Sequence, residues 1–163
     1  SNPEVSHTLV AYNTSRGIHA DYSARIFNCT SVLNAGDGVY IGKSVTGGIM
    51  DNCIVDKVTL GVTPTATCYN NCIPSIPDNS DNCVWANSVF HAGDLDFIKF
   101  ADIANGDFRL KPDSPCVNKG IDREAQFTEA LDLDRKQRID HFFKVIDIGC
   151  YEYLPNGTLF YLK

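Results

Sequence analysis

The sequence predicts an all-β fold, a solenoid of about four or five stacked coils, and three observations carry that prediction. The first is a repeat. The stretches "NTSRGIHA" (13–20), "NAGDGVYI" (34–41) and "KVTLGVTP" (57–64) each place Gly fifth and Ile or Val sixth, with Gly17, Gly38 and Gly61 separated by 21 and 23 residues. The second is an interleaved series of Asn-Cys pairs at 28/29, 52/53, 71/72 and 82/83. The third is the lack of any long stretch with apolar residues at helical spacing. A period near 22 built from short β-rich runs describes units that bury little alone and much when stacked.

Each part of the chain follows from that reading. In the coils, Gly and Asn sit where tight corners need a positive φ. Strands of successive coils pair in parallel about 4.8 Å apart. Equivalent residues then stack, so Cys29, Cys53 and Cys72 are expected inside as a ladder of free thiols and the asparagines beside them as a ladder of corners. Strand alternation points Ile18, Val39 and Val62 inward and His19, Tyr40 and Thr63 outward. Leucine-rich repeats share the period, but Leu is scarce here. The run "IPSIPDNSDN" (73–82) is rich in Pro, Asn and Asp and reads as a loop that ends the regular repeat. The best helical candidate is 122–134, worth about two turns. The expected organisation is one structural domain, with coils over 1–90 and a terminal coil plus capping segment over 91–163.

Composition bounds the function. The chain has 163 residues, a net charge of −6 and a pI of about 5.0, which argues against a nucleic-acid partner. No apolar run approaches the roughly 20 residues of a membrane helix. Residues 78–134 hold twelve acids against five bases, whereas residues 1–60 hold five against four. The nearly neutral first part is therefore the better place for a site. Seven cysteines leave at least one thiol unpaired within the chain.

Three motifs occur in order near the end: "DFRLKPDSPCVNKG" (107–120), "LDLDRKQRI" (131–139) and "VIDIGCYEY" (145–153). Together they resemble the C-terminal signature of bacterial right-handed parallel β-helix proteins, the pectate-lyase-like superfamily. Where that signature has a Gly-Asn-Pro turn, this chain has Arg135-Lys136-Gln137, and where it has Ala this chain has Cys150. The resemblance implies a short right-handed parallel β-helix closed by a C-terminal capping segment. Phe108, Leu110, Val117, Ile146, Ile148 and Tyr151 would form the buried side of that segment, with Pro112 and Pro115 at its corners. Cys116 and Cys150 would come into one region, where a disulfide between them is one outcome. Upstream coils of a longer protein, secretion or display at the bacterial surface (or in the periplasm), and polysaccharide or glycan as partner are implied as well. If the longer protein is an enzyme, the resemblance implies a polysaccharide lyase or glycoside hydrolase. The alternative is an adhesin-like or structural surface β-helix without catalysis.

The candidate carbohydrate-binding residues are His19, Tyr40 and Thr63 on the outward column, with Lys43 at its edge. An aromatic ring beside an imidazole on a rigid strand suits a sugar ring. That column holds neither paired carboxylates nor a Lys/Arg cluster, so no catalytic residue is assigned and the chain is expected not to cleave glycans. No cofactor or metal is assigned, and calcium is the one alternative kept. Asp132 and Asp134 are too few for a calcium loop. Cys68, Cys72, Cys83 and His91 lack the spacing of a zinc site.

Overall fold

The computed structural model describes residues 2–42, 46–61, 64–78, 80–122, 131–139 and 145–155. The chain winds as a parallel β-solenoid of about four turns with three walls. The first coil contributes β1 (Glu4–Ser6), β2 (Leu9–Ala11) and β3 (Ile18–Ala20). The second contributes β4 (Arg25–Phe27), β5 (Thr30–Val32) and β6 (Val39–Ile41), and the third β7 (Thr46–Asp51), β8 (Ile54–Val55) and β9 (Val58–Leu60). The fourth adds β10 (Thr65–Tyr69) and β11 (Cys72–Ile73), and a last rung adds β12 (Cys83–Ala86) and β13 (Val89–Phe90). Wall A stacks β1-β4-β7-β10-β12, wall B stacks β2-β5-β8-β11-β13, and wall C stacks only β3-β6-β9. The loop expected at 73–82 lies between β11 and β12, yet the repeat resumes for one rung after it in walls A and B.

The corner between walls A and B shows how sequence becomes coil. His7, Asn28, Asn52, Asn70 and Asn87 occupy it, with φ of 50°, 49°, 56°, 53° and 55°. Asn tolerates this left-handed geometry better than other residues with a β-carbon. Each N–H of the first four donates to the next coil: His7 to Phe27 O, Asn28 to Asp51 O, Asn52 to Tyr69 O and Asn70 to Ala86 O, at 3.0–3.1 Å. The corner ladder is thus real, but its third and fourth asparagines are Asn70 and Asn87, where the Asn-Cys pairs point to Asn71 and Asn82.

That one-residue offset moves a cysteine to the other side of the wall. Cys29 and Cys53 are inside, as expected, but the next place in their column belongs to Asn71. Asn71 is fully buried and replaces the missing rung with bonds of its own: Oδ1 accepts from Cys53 N at 2.9 Å and Nδ2 donates to Met50 O at 2.8 Å. Cys72 instead pairs in register with Ile54 and Val89, with its thiol on the outer side of wall B. All seven cysteines are free thiols; six are buried and Cys83 is partly so. Cys116 and Cys150 are buried in the C-terminal segment and are not joined. The register expected from Gly61 is also corrected. Val39 pairs with Val58 and Tyr40 with Thr59, while Gly61 donates to Ile41 O and so matches Gly42. Val62, Thr63 and Lys43 lie outside the described residues.

The two larger apolar layers among the described residues are these. The inner one fills the solenoid with Ile18, Ile26, Val39, Met50, Val55, Val58, Cys68 and Ile73. The second lies outside wall B, where Val32, Ile54 and Cys72 meet Ile98, Phe100, Phe108, Leu110, Cys116 and Ile148. The C-terminal segment therefore packs along the side of the coils, whereas the sequence suggested closure of their open end. It carries an antiparallel pair, β14 (Phe100–Asp102) with β15 (Asp107–Leu110). Gly149 N–H donates to Asn52 O (2.8 Å) and Cys150 N–H to the Thr30 hydroxyl (3.2 Å), so the "DIGCYEY" stretch is fastened directly to coils two and three.

The segment is held by a buried contact between Arg138 and Glu152. Arg138 is fully buried; its Nη2 lies 3.1 Å from Glu152 Oε1 and donates to the backbone oxygens of Asp147 (3.1 Å) and Gly149 (2.9 Å). Asp132 accepts from the N–H groups of Lys136 (2.7 Å) and Glu152 (2.8 Å). The motif residues are thus bound to one another, in keeping with a structural role. The described end of the helical candidate, Leu131–Asp134, forms an isolated bridge to Gln137 and a turn; residues 123–130 lie outside the described set.

Candidate functional site: the outer face of wall C

The three walls differ in what covers them. Wall B is covered by the C-terminal segment. On wall A, Phe27 and Ile49 pack against Ile139 and Ile146. Wall C presents His19 exposed and Tyr40 and Thr59 half-buried, stacked one per coil. Their neighbours Ile18, Val39 and Val58 point inward and are buried, as the alternation of a strand requires. The structure therefore brings His19 and Tyr40 together. Thr59 is the third tier of their column.

The rings of His19 and Tyr40 meet edge to face, with centroids 4.9 Å apart and planes at 89°. The Arg16 guanidinium lies over the Tyr40 ring, 4.0 Å from its centroid. Arg16 is held there by Asp37, at 3.0 Å from Nε to Oδ2. The other Asp37 oxygen accepts from the Thr59 hydroxyl at 2.7 Å and sits 3.2 Å from Lys57 Nζ. Burial works to raise the Asp37 pKa, but the bonds from Thr59, Arg16 and Lys57 outweigh it and hold the carboxyl below the usual range. His19 Nε2 lies 3.4 Å from Asp21 Oδ2.

Asp37 stays ionised and its oxygens are engaged by three donors, so it has no proton to give a leaving group. Tyr40 has one ring face occupied by Arg16. What remains open is the exposed imidazole of His19 and the polar rim of Arg16 and Lys57, whose side chains are 45% and 62% exposed. Sequence reasoning missed Arg16, Asp37, Lys57 and Thr59. One signal was present: Arg16 and Asp37 each precede an aligned glycine, so they occupy equivalent places in adjacent coils with opposite charge.

Among the described residues, clefts also lie elsewhere. One, of about 290 Å³, runs between β9 and the loop Ser75–Asp78. Another, of about 320 Å³, is built within the C-terminal segment from residues including Lys99, Ala101, Asp102 and Lys111. Of the metal readings weighed in the sequence, Asp132 is engaged by backbone donors and Asp134 by Lys136 at 3.4 Å. Cys68 belongs to the inner layer, Cys72 to the outer one, and buried His91 bonds to Val55 O at 3.0 Å. No group of three or more His, Cys, Asp or Glu suited to a metal ion occurs among the described residues. No helix is long and apolar enough to cross a membrane. Comparison with known proteins finds no matching family model, no matching curated protein and no matching solved structure.

Proposed function

We propose that this chain is a glycan-binding β-solenoid whose ligand face is the outer side of wall C. It would form part of a secreted or surface-displayed bacterial parallel β-helix protein of pectate-lyase-like type. The observation that carries the reading is the His19–Tyr40 ring pair, set in a rim of Arg16, Asp37 and Lys57. A sugar offers an apolar ring face and a belt of hydroxyls. An aromatic cluster with charged donors and acceptors at its edge matches both. The three C-terminal motifs support the family reading, since they form the segment that holds the coils together. Few groups converge on the face, so affinity is expected in the high micromolar to millimolar range.

The test is oligosaccharide binding to the purified chain by glycan array, followed by titration calorimetry. Tyr40→Ala and His19→Ala are each expected to lower affinity at least tenfold. Tyr40→Ala is expected to cost about 1 kcal/mol of stability, the scale of a lost cation–π contact at a half-buried ring. Release of reducing ends or unsaturated products is not expected. Glycan binding that survives both substitutions would move the site off this face. An array without a hit would favour a structural, adhesin-like solenoid.

A further inference from the structure

Walls A and B continue for two rungs beyond the third coil, through β10 and β12 and through β11 and β13, but wall C stops at β9. Among the described residues, the fourth coil has no strand there. Its chain leaves β11 at Ile73 and passes through Pro74, Ser75, Ile76, Pro77 and Asp78, where two prolines exclude a full ladder. The cleft between β9 and this loop is lined by Val58, Thr59, Leu60, Ile76, Pro77 and Asp78, together with Ser75. It occupies the place a fourth strand of wall C would fill.

The polarity of β9 can be read from its bonds. Val39 N–H donates to Lys57 O at 3.0 Å and Gly61 N–H to Ile41 O at 2.7 Å. Lys57, Thr59 and Gly61 therefore turn their backbone groups toward β6. Along a strand, alternate residues turn theirs to opposite neighbours. Val58 and Leu60 thus direct two N–H and two C=O groups into the cleft, and among the described residues β9 pairs with β6 alone. Val58 and Leu60 are only 9% and 7% exposed, so these groups meet solvent through the cleft alone, where they are a template for another strand.

We infer that this cleft is a docking site for an extended peptide segment of a partner protein, which adds to wall C as a fourth strand beside β9. Alternating donors and acceptors at strand spacing match a peptide backbone, which supplies the same groups in the same order. The fourth-tier strands β10 and β11 flank the slot in walls A and B, so its height suits one strand. The apolar content of the lining (Ile76 is 47% exposed, with Pro77 beside it) calls for small apolar side chains at alternate positions of the peptide. Among the described residues of the lining, Asp78 is the charged one, so a Lys or Arg at one end of the segment completes the match. This site is independent of the glycan face, apart from Thr59 at their border.

The experiment pans a phage-displayed random heptapeptide library against the intact chain and measures the selected peptide by calorimetry. The expected peptide alternates small apolar residues and carries a base. N-methylation of the amides that face β9 should cut its affinity at least tenfold, while methylation of the intervening amides changes it less than threefold. Asp78→Lys should also weaken binding at least tenfold. Leu60→Pro removes the outward N–H of a residue whose buried side chain belongs to the inner layer, and should abolish binding under conditions where the variant keeps the wild-type far-ultraviolet spectrum. A library without a binder, equal effects of all N-methylations, or binding indifferent to Asp78→Lys would overturn the proposal. Self-association of the chain that Leu60→Pro abolishes would also overturn it, because the edge would then serve a second copy. The N-methylated peptides need no protein variant, so the test stands even if Leu60→Pro fails to fold.

Discussion

His7 opens the corner ladder that asparagines continue at 28, 52, 70 and 87. Its ring makes a contact of 3.2 Å with Asn28 Nδ2. Burial first, and the positive charge of Arg138 second, lower its pKa to about 4, with Asp132 opposing them. A depressed pKa stabilises the fold above the unfolded value of 6.5, and that contribution is lost as pH falls through 4. The Glu152 carboxyl is pushed the other way by burial, against Arg138, so it contributes most at low pH and loses that contribution as pH rises. Substituting His7→Asn isolates the first effect, because Asn already serves the same backbone geometry in later coils. Urea midpoints should show the native chain losing on the order of 2 kcal/mol relative to His7→Asn between pH 7 and pH 4. Parallel pH profiles for the two proteins would show that His7 is not held neutral by the fold.

Between residue and coil, the corner asparagines connect the solenoid to its cover. Asn52 combines a φ of 56° with side-chain bonds to both backbone groups of Ile121, at 2.8 and 2.9 Å, and its own carbonyl receives Gly149 N–H. Asn52→Gly keeps the backbone freedom and loses the two side-chain bonds. Asn52→Ala loses the bonds and adds left-handed strain. Melting curves should rank wild type above Gly and Gly above Ala, with about 2–3 kcal/mol lost in Gly and about 1 kcal/mol more in Ala. An Ala variant as stable as the Gly variant would remove strain from the account. The same corners explain what the sequence made legible. The Gly17 and Gly38 repeat placed Ile18, Val39, His19 and Tyr40 correctly, because both coils have the same length. The third tier failed because Gly61 follows Gly42 in register, and the fourth failed because Asn70 turns the corner where Asn71 carried the motif. Coil length varies, and a single shifted residue sends a side chain to the other face of a wall. The Asp37 cluster stayed hidden for a related reason: it joins Arg16, Lys57 and Thr59 from three coils, which spacing within one coil cannot show.

At the scale of the whole molecule, the C-terminal segment acts as a lateral cover. Val32, Ile54, Cys72 and Val89 form an apolar stripe up the outside of wall B, and Phe100, Phe108, Leu110, Cys116 and Ile148 lie against it. Without the segment that stripe becomes an exposed patch on a regular sheet face, which favours association. Truncation after Gly93 should therefore give a protein that aggregates or binds a dye for apolar surface. The cause can be separated from end-to-end pairing of open strand edges. If the side face is responsible, replacing Val32, Ile54 and Val89 with Thr in the truncated chain should restore solubility, because Thr keeps strand preference while presenting a hydroxyl. If the open end is responsible, those replacements change nothing, since the edges of β12 and β13 stay as they were. Sedimentation of the two truncated proteins reads the difference directly. A soluble, monomeric truncation without any replacement would show that the coils do not need their cover.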